Sequence, residues 1–269
     1  MKPIEYEEMH PTEKNDNSEK LESVDKEFRW FGFKEKIETT DEAKERLEKL
    51  DIGTINLEGM LEKHQRKVVE AVETMMEEYP ELKGYIGSIR TEELPEGVYA
   101  CAGPKMGKDG FYAELQLSEE HFAKGNLEWK LVDTELENFR GERWLAGSGI
   151  DGIVKHEMAH LMHLRMISEN IELAPGDIDR KKFDLLEEKY YHNAEVIDLC
   201  NKARENLGIS YNDVARELSV YGSRDFGEFF AEAISEHETQ KKPRQLANEV
   251  YRLYKERQNE QTERGDEKI

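Results

Sequence analysis

"IDGIVKHEMAHLMHLR", residues 150–165, is the stretch from which the rest of the chain can be read. Two histidines stand four positions apart, and a glutamate directly follows the first. Four positions on an α-helix advance by about 400°, so His156 and His160 lie one above the other and can grip a single ion together. Glu157 projects about 100° away, which keeps it off the ligand pair yet within reach of a water held beside it. The role that fits Glu157 is general base. Around these residues Ile150, Ile153, Val154, Met158, Ala159, Leu161, Met162, Leu164, Met166 and Ile167 are spread nearly all round the helix, the pattern of a buried one. Buried histidines and a buried carboxylate need partners, because an unpaired polar group in such a place costs kilocalories, and a metal would satisfy them. His163, one turn further on, reads as a supporting or packing histidine rather than a ligand.

A catalytic zinc takes three protein ligands and an open position for water. No third histidine follows at the close metzincin spacing, so the third ligand is sought among later carboxylates. "SVYGSRDFGEFFAEAISEHE", residues 219–238, is where they stand. Glu228 and Glu232 share one face of a helix made apolar by Phe226, Phe229, Phe230, Ala231, Ala233 and Ile234. Asp225 and Glu228 are also spaced as a capping box, in which Glu228 would only cap its own helix and Glu232 would be the ligand. Spacing leaves both assignments open.

These residues together resemble a known family. The His-Glu-x-x-His pair, then Tyr-Gly, an Arg, and Glu-Phe-Phe-Ala-Glu beginning seven positions after the Tyr, is similar to the gluzincin metallopeptidases of the anthrax lethal factor catalytic domain and Pro-Pro endopeptidase type, including phage-encoded metallopeptidase-like domains. The resemblance is specific over 150–165 and 219–236 and loose over 84–118. It implies a zincin-like fold, one zinc ion held by His156, His160 and Glu228, an oxyanion donor in Tyr221, and Glu232 behind a ligand histidine. The implied activity is zinc-dependent hydrolysis of a peptide bond in a protein or peptide substrate. Two rival readings use the same helix: a cytoplasmic zinc protease directed at repressors, and a non-catalytic zincin-fold interaction or phage structural protein.

Outward from the two motifs, the expected fold class is α+β, mostly helical with a small mixed sheet of about three to four strands. "TTDEAKERLEKL" opens with a capping box from Thr39 to Glu42. Apolar residues from Leu57 to Met76 recur at helical spacing, with His64 among them as a core histidine. "YIGSIR", "VYACAG" and "FYAELQLS" read as strands, and the last, 111–118, is the expected edge along which an extended peptide would lie. Residues 119–147 carry no clear pattern. Ser148 and Asp151 form a possible capping box for the histidine helix, and further helices are expected over 180–206, 211–219 capped by Ser210, 226–239, and from 244.

The chain divides into an acidic tail over 1–33, a zincin-like domain over 34–260 and a charged tail over 261–269. Residues 1–27 bury too little to offset their ordering entropy. "FRWFGF", Phe28–Phe33, is an aromatic segment that pins the tail to the domain or docks a protein partner. The net charge of -21 repels phosphate, which argues against nucleic acid and anionic membrane as partners. No run of about 18 apolar residues spans a bilayer, and the N-terminus lacks the apolar core of a secretory signal, so a cytoplasmic location is expected. Cys101 and Cys200, the only cysteines, are too few for a disulfide framework and read as reduced, buried hydrophobes.

Overall fold

Thr39 caps the first helix, α1 (Thr40–Glu48), accepting from the Glu42 N–H while the Glu42 carboxylate accepts from the Thr39 N–H. This is the reciprocal box that the sequence predicts. The computed structural model describes residues 39–122 and 132–266, so the aromatic segment Phe28–Phe33 and the tail before it lie outside the described residues. After α1 come β1 (Thr54–Asn56), α2 (Glu62–Glu78), β2 (Ile86–Glu92), β3 (Ala100–Gly107) and β4 (Gly110–Ser118). The second half is helical: α3 (Glu119–Phe122), α4 (Val132–Gly141), α5 (Gly149–Asn170), α6 (Arg180–Tyr191), α7 (Val196–Asn206), α8 (Val214–Glu217), α9 (Phe226–Thr239) and α10 (Gln245–Asp266).

The fold is α+β, with one mixed sheet of four strands in the order β1-β2-β4-β3. β1 and β2 run parallel, β2 and β4 run parallel, and β3 returns antiparallel to β4. Here the sequence reading needs correction. "FYAELQLS" is not an edge but the interior strand β4, bonded on both sides, and the edge strand is β3. Phe111, Ala113, Leu115 and Leu117 are all buried, and Glu114 on the other side of the alternation is buried as well. Arg90 and Lys105 hold that carboxylate at 3.0 and 3.5 Å. The bond from the Ser118 N–H to the Tyr99 carbonyl turns Tyr99 towards β4, so the main-chain groups of Ala100, Ala102 and Pro104 face the free edge.

α5 is the central helix, in contact with α2, α4, α6, α9, β3 and β4. Its apolar residues from Ile150 to Ile167 are buried apart from Ile153, each full burial of a large side chain contributing about 1.5–3 kcal/mol before entropy is charged. Ser148 precedes this helix but does not cap it; its hydroxyl accepts from the Gln240 side chain instead. Two glycines let α9 approach. A Cβ on Gly147 would lie 2.0 Å from the Ser235 hydroxyl, and one on Gly152 would lie 2.6 Å from the Gly147 carbonyl carbon. Ser235 then donates to the Gly152 carbonyl at 2.7 Å, fixing α9 against α5.

The single helix expected over 180–206 is two, α6 and α7, broken where Asn193 and Glu195 take positive φ of 55° and 74°. α8 is shorter than expected, because residues 211–213 form a 3-10 turn and the Ser210 hydroxyl bonds the Asp213 carboxylate rather than the backbone. α10 continues to Asp266 and takes in most of the stretch read as a C-terminal tail. Cys200 is buried as expected, whereas Cys101 is only half-buried; neither is in a disulfide. Among the described residues, no helix is long and apolar enough to cross a membrane.

Candidate metal centre

The site forms where α5 and α9 cross. His156 and His160 occupy one face of α5 in its fully packed middle turns, and their ring nitrogens Nε2 approach to 3.1 Å. Glu228 enters from the first turn of α9, its Oε2 lying 3.0 Å from His156 Nε2 and 3.4 Å from His160 Nε2. Asp225 does cap α9, accepting from the Glu228 N–H at 3.0 Å. The Glu228 carboxylate, however, is turned to the histidines, so the cap and the candidate ligand are compatible, and spacing had set them against each other.

Glu232, one turn along α9, takes a different place. Its Oε1 lies 2.7 Å from His156 Nδ1, and its Oε2 accepts from the Ala146 N–H. A carboxylate on Nδ1 makes that nitrogen the donor and leaves the Nε2 lone pair facing Glu228 and His160. Glu232 thus orients His156 from behind.

Three donor atoms therefore converge, one from each of His156, His160 and Glu228, all within 4.8 Å of one another and all from buried residues. Ligand atoms around a zinc at about 2.0–2.1 Å stand about 3.3–3.4 Å apart in a tetrahedron, close to the spacings found. Glu228 Oε2 also has no hydrogen bond of good geometry although it is buried. A buried carboxylate oxygen set between two imidazole nitrogens is placed where a cation would be well held. These residues can hold a metal ion.

Electrostatics follows the same layout. Burial pulls His156 down, but the hydrogen bonds to Glu228 and Glu232 and their charges carry it well above the usual imidazole range. Burial pushes Glu228 up, and the two histidines outweigh it, holding this carboxylate well below its usual range. Glu157 is raised by burial, against the opposing pull of both histidines and of a bond from the Ala102 backbone N–H. A carboxylate raised in this way is a stronger base than one in water.

Tyr221 begins a 3-10 turn, Tyr221–Ser223, which is hung on the segment before α5 by bonds from the Val220 and Tyr221 N–H groups to the Arg143 and Trp144 carbonyls. Its ring centroid is 5.7 Å from that of His156, and the Arg224 guanidinium lies 4.8 Å over it. Burial, then the charges of Glu228 and Glu157, push the phenol far up, so it remains a proton donor. His163 stands apart from the three ligands: its Nε2 donates to the Ala194 carbonyl at 2.7 Å, and its Nδ1 is buried without a hydrogen bond. The Cys101 thiol, near Glu157, is pushed up to about 12 by burial and by that charge, and it stays protonated.

Several residues at the site escaped the sequence reading. A cavity of about 50 Å³ opens beside His156, Glu157 and Tyr221, walled by Tyr99, Phe139, Trp144 and Leu145. Phe139, Trp144 and Leu145 fall in the stretch without a clear pattern, where only their apolar character could have pointed to a wall. Tyr190, from the end of α6, packs its ring 6.4 Å from His160. Compared with known proteins, the chain matches no family model, no curated protein and no solved structure.

Proposed function

We propose that the protein is a zinc-dependent endopeptidase of zincin-like fold, similar to the lethal factor type, acting on an extended segment of a protein or peptide substrate. The observation that carries this reading is the convergence of His156, His160 and Glu228 with a buried carboxylate, Glu157, next to them and a protonated phenol, Tyr221, at the rim. A metal-holding scaffold needs the three ligands, but it has no use for the base.

When bound, zinc supplies Lewis acidity, which brings the pKa of water towards about 7 and polarises a carbonyl. The chain's own residues do the rest. Glu157 accepts a proton from the attacking water and returns it to the leaving amine nitrogen as the C–N bond breaks. Tyr221 donates its O–H to the carbonyl oxygen as negative charge grows there. Glu232 keeps His156 in the Nδ1–H tautomer, and Asp225 fixes the turn from which Glu228 projects. An extended peptide would meet the sheet only at Ala100, at the start of β3, with one side chain in the cavity walled by Tyr99, Phe139 and Trp144.

Elemental analysis of the purified protein tests the metal set. One zinc per chain is expected, lost in His160→Ala and Glu228→Ala and retained at reduced affinity, about 10–100-fold weaker, in Glu232→Ala. Zinc retained without Glu228 and lost without Glu232 would exchange the two roles. Glu157→Gln is expected to keep zinc and to lose peptide-library hydrolysis; full activity in that variant would end the endopeptidase reading.

A further inference from the structure

Arg224 has no part in the metal set or in the hydrolysis described above, yet it stands at the site with its hydrogen-bonding capacity unspent. The chain carries 60 acidic residues, and most of its arginines are held by them. Arg46, Arg90 and Arg244, for example, grip Glu73, Glu114 and Glu236. The Arg224 guanidinium makes no hydrogen bond or ion pair with any described residue, and Asp225, its neighbour in sequence, caps α9 instead. What holds Arg224 is aromatic: its guanidinium lies over two rings, 4.8 Å from the centroid of Tyr221 and 5.4 Å from that of Trp144.

Both rings belong to the candidate site. Tyr221 and Trp144 wall the cavity beside His156 and Glu157, and the Tyr221 N–H donates to the Trp144 carbonyl at 3.0 Å, so the two are presented by segments bonded to each other. Contact with an aromatic face draws on the charge of a guanidinium. Its N–H donors, five in a planar fork, remain to be given, and that fork matches a carboxylate at two points. Arg224 is exposed, so a ligand can reach it. The rings also fix where the cation stands, which lowers the ordering cost of gripping a ligand. An anion is what such a group recognises. A carboxylate suits it better than a phosphate, because a net charge of -21 opposes a doubly charged group more strongly than a singly charged one.

We propose that Arg224 is a specificity-determining residue that receives a carboxylate of the substrate. The path of the substrate rests on the endopeptidase reading; the affinity of Arg224 for a carboxylate does not. With the scissile carbonyl at the Tyr221 hydroxyl, a guanidinium over the Tyr221 ring is reached within about three residues of extended chain. The carboxylate belongs either to an Asp or Glu side chain or to the end of the substrate chain. The chemistry of recognition is the same for both, and peptides separate them.

The test uses the full chain, zinc-loaded, as wild type, Arg224→Gln, Arg224→Lys and Arg224→Glu, with zinc content measured for each. The probes are peptides in which one position at a time is Glu, Gln or Lys, each made with a free and with an amidated C-terminus. Their kcat/KM values are compared, and their Kd values are measured by calorimetry on Glu157→Gln with and without Arg224→Gln. Wild type should favour Glu over Gln at one position near the cleaved bond, or a free over an amidated C-terminus, by about fivefold to tenfold. The first result assigns a side-chain carboxylate and the second a terminal one. That ratio should fall to about one in Arg224→Gln, keep only part of its size in Arg224→Lys, which has the charge without the fork, and turn towards Lys in Arg224→Glu. Ratios near one in wild type for both pairs, or a preference that survives Arg224→Gln with zinc retained, would overturn the proposal. A wild type that cleaves no peptide, with Glu157→Gln still binding the carboxylate peptides more tightly and losing that preference with Arg224, would end the endopeptidase reading and leave the carboxylate site standing.

Discussion

His163 shows how different two histidines three positions apart on one helix can be. His160 faces a carboxylate and a second imidazole; His163 faces the Ala194 carbonyl and the ring of Tyr190. Burial, only partly offset by the bond to Ala194, holds His163 down to about 3. The unfolded chain would bind a proton there at about 6.5, so between those values it carries more protons than the folded one. The stability from this residue is therefore complete above about pH 6.5 and is lost as pH falls towards 3, to a total on the order of 5 kcal/mol. Urea unfolding of the metal-free protein at several pH values between 7 and 4 should show a steep loss in wild type and a shallower one in His163→Gln. Equal slopes would mean that His163 is not held neutral by burial. The sequence already set His163 apart from the ligands, but its partner was hidden, because Ala194 is exposed as an acceptor only where the chain breaks between α6 and α7.

At the scale of elements, the site depends on how closely α9 lies against α5, since α5 carries the histidines and α9 carries both carboxylates. Gly152→Ala should displace the segment leading into α5, because the added methyl meets the Gly147 backbone, which cannot swing aside as a side chain can and which itself packs against Ser235 of α9. Overpacking of this kind costs about 1–3 kcal/mol, which in a chain of this size is a fall in Tm of several degrees, and zinc affinity should drop with it. Gly141→Ala, where a Cβ meets nothing within 4 Å, is the control. A Gly152→Ala protein with wild-type Tm and zinc affinity would show that the crossing has slack. Much at this scale was legible beforehand. The apolar helices around His156 and Glu228 carry their evidence locally, in periodicity and, for α9, in its Asp225 cap, and three strands announced themselves by alternation. Strand order did not, because alternation tells a residue which face it takes and never which strand lies beside it; hence β4 was read as an edge. β1 is three residues long, too short to show any period. Tyr190 was passed over for a related reason: its part depends on where the end of α6 lands, and nothing in the neighbouring sequence marks that place.

For the whole molecule, metal and stability are linked. A ligand that binds the folded chain at a hundred times its Kd adds about 2.7 kcal/mol, so zinc should raise Tm by about 5–10 °C over the chelated protein. Scanning calorimetry before and after chelation would measure it, and His160→Ala should show no such difference. A wild type whose Tm ignores both zinc and chelator would lack the site.

The two ends of the sheet carry a further consequence, which concerns what the protein does not do in a crowded solution. An open sheet edge is a template on which a second chain can add a strand, and long flat edges of this kind lead to aggregation. At one end β1 offers only Thr54–Asn56. At the other, the Ala102 carbonyl is already engaged by the Tyr190 hydroxyl, and Pro104 has no donor to give. Neither end can zip up with a neighbour for more than a residue or two, so the sheet beside the candidate site is kept from recruiting copies of itself.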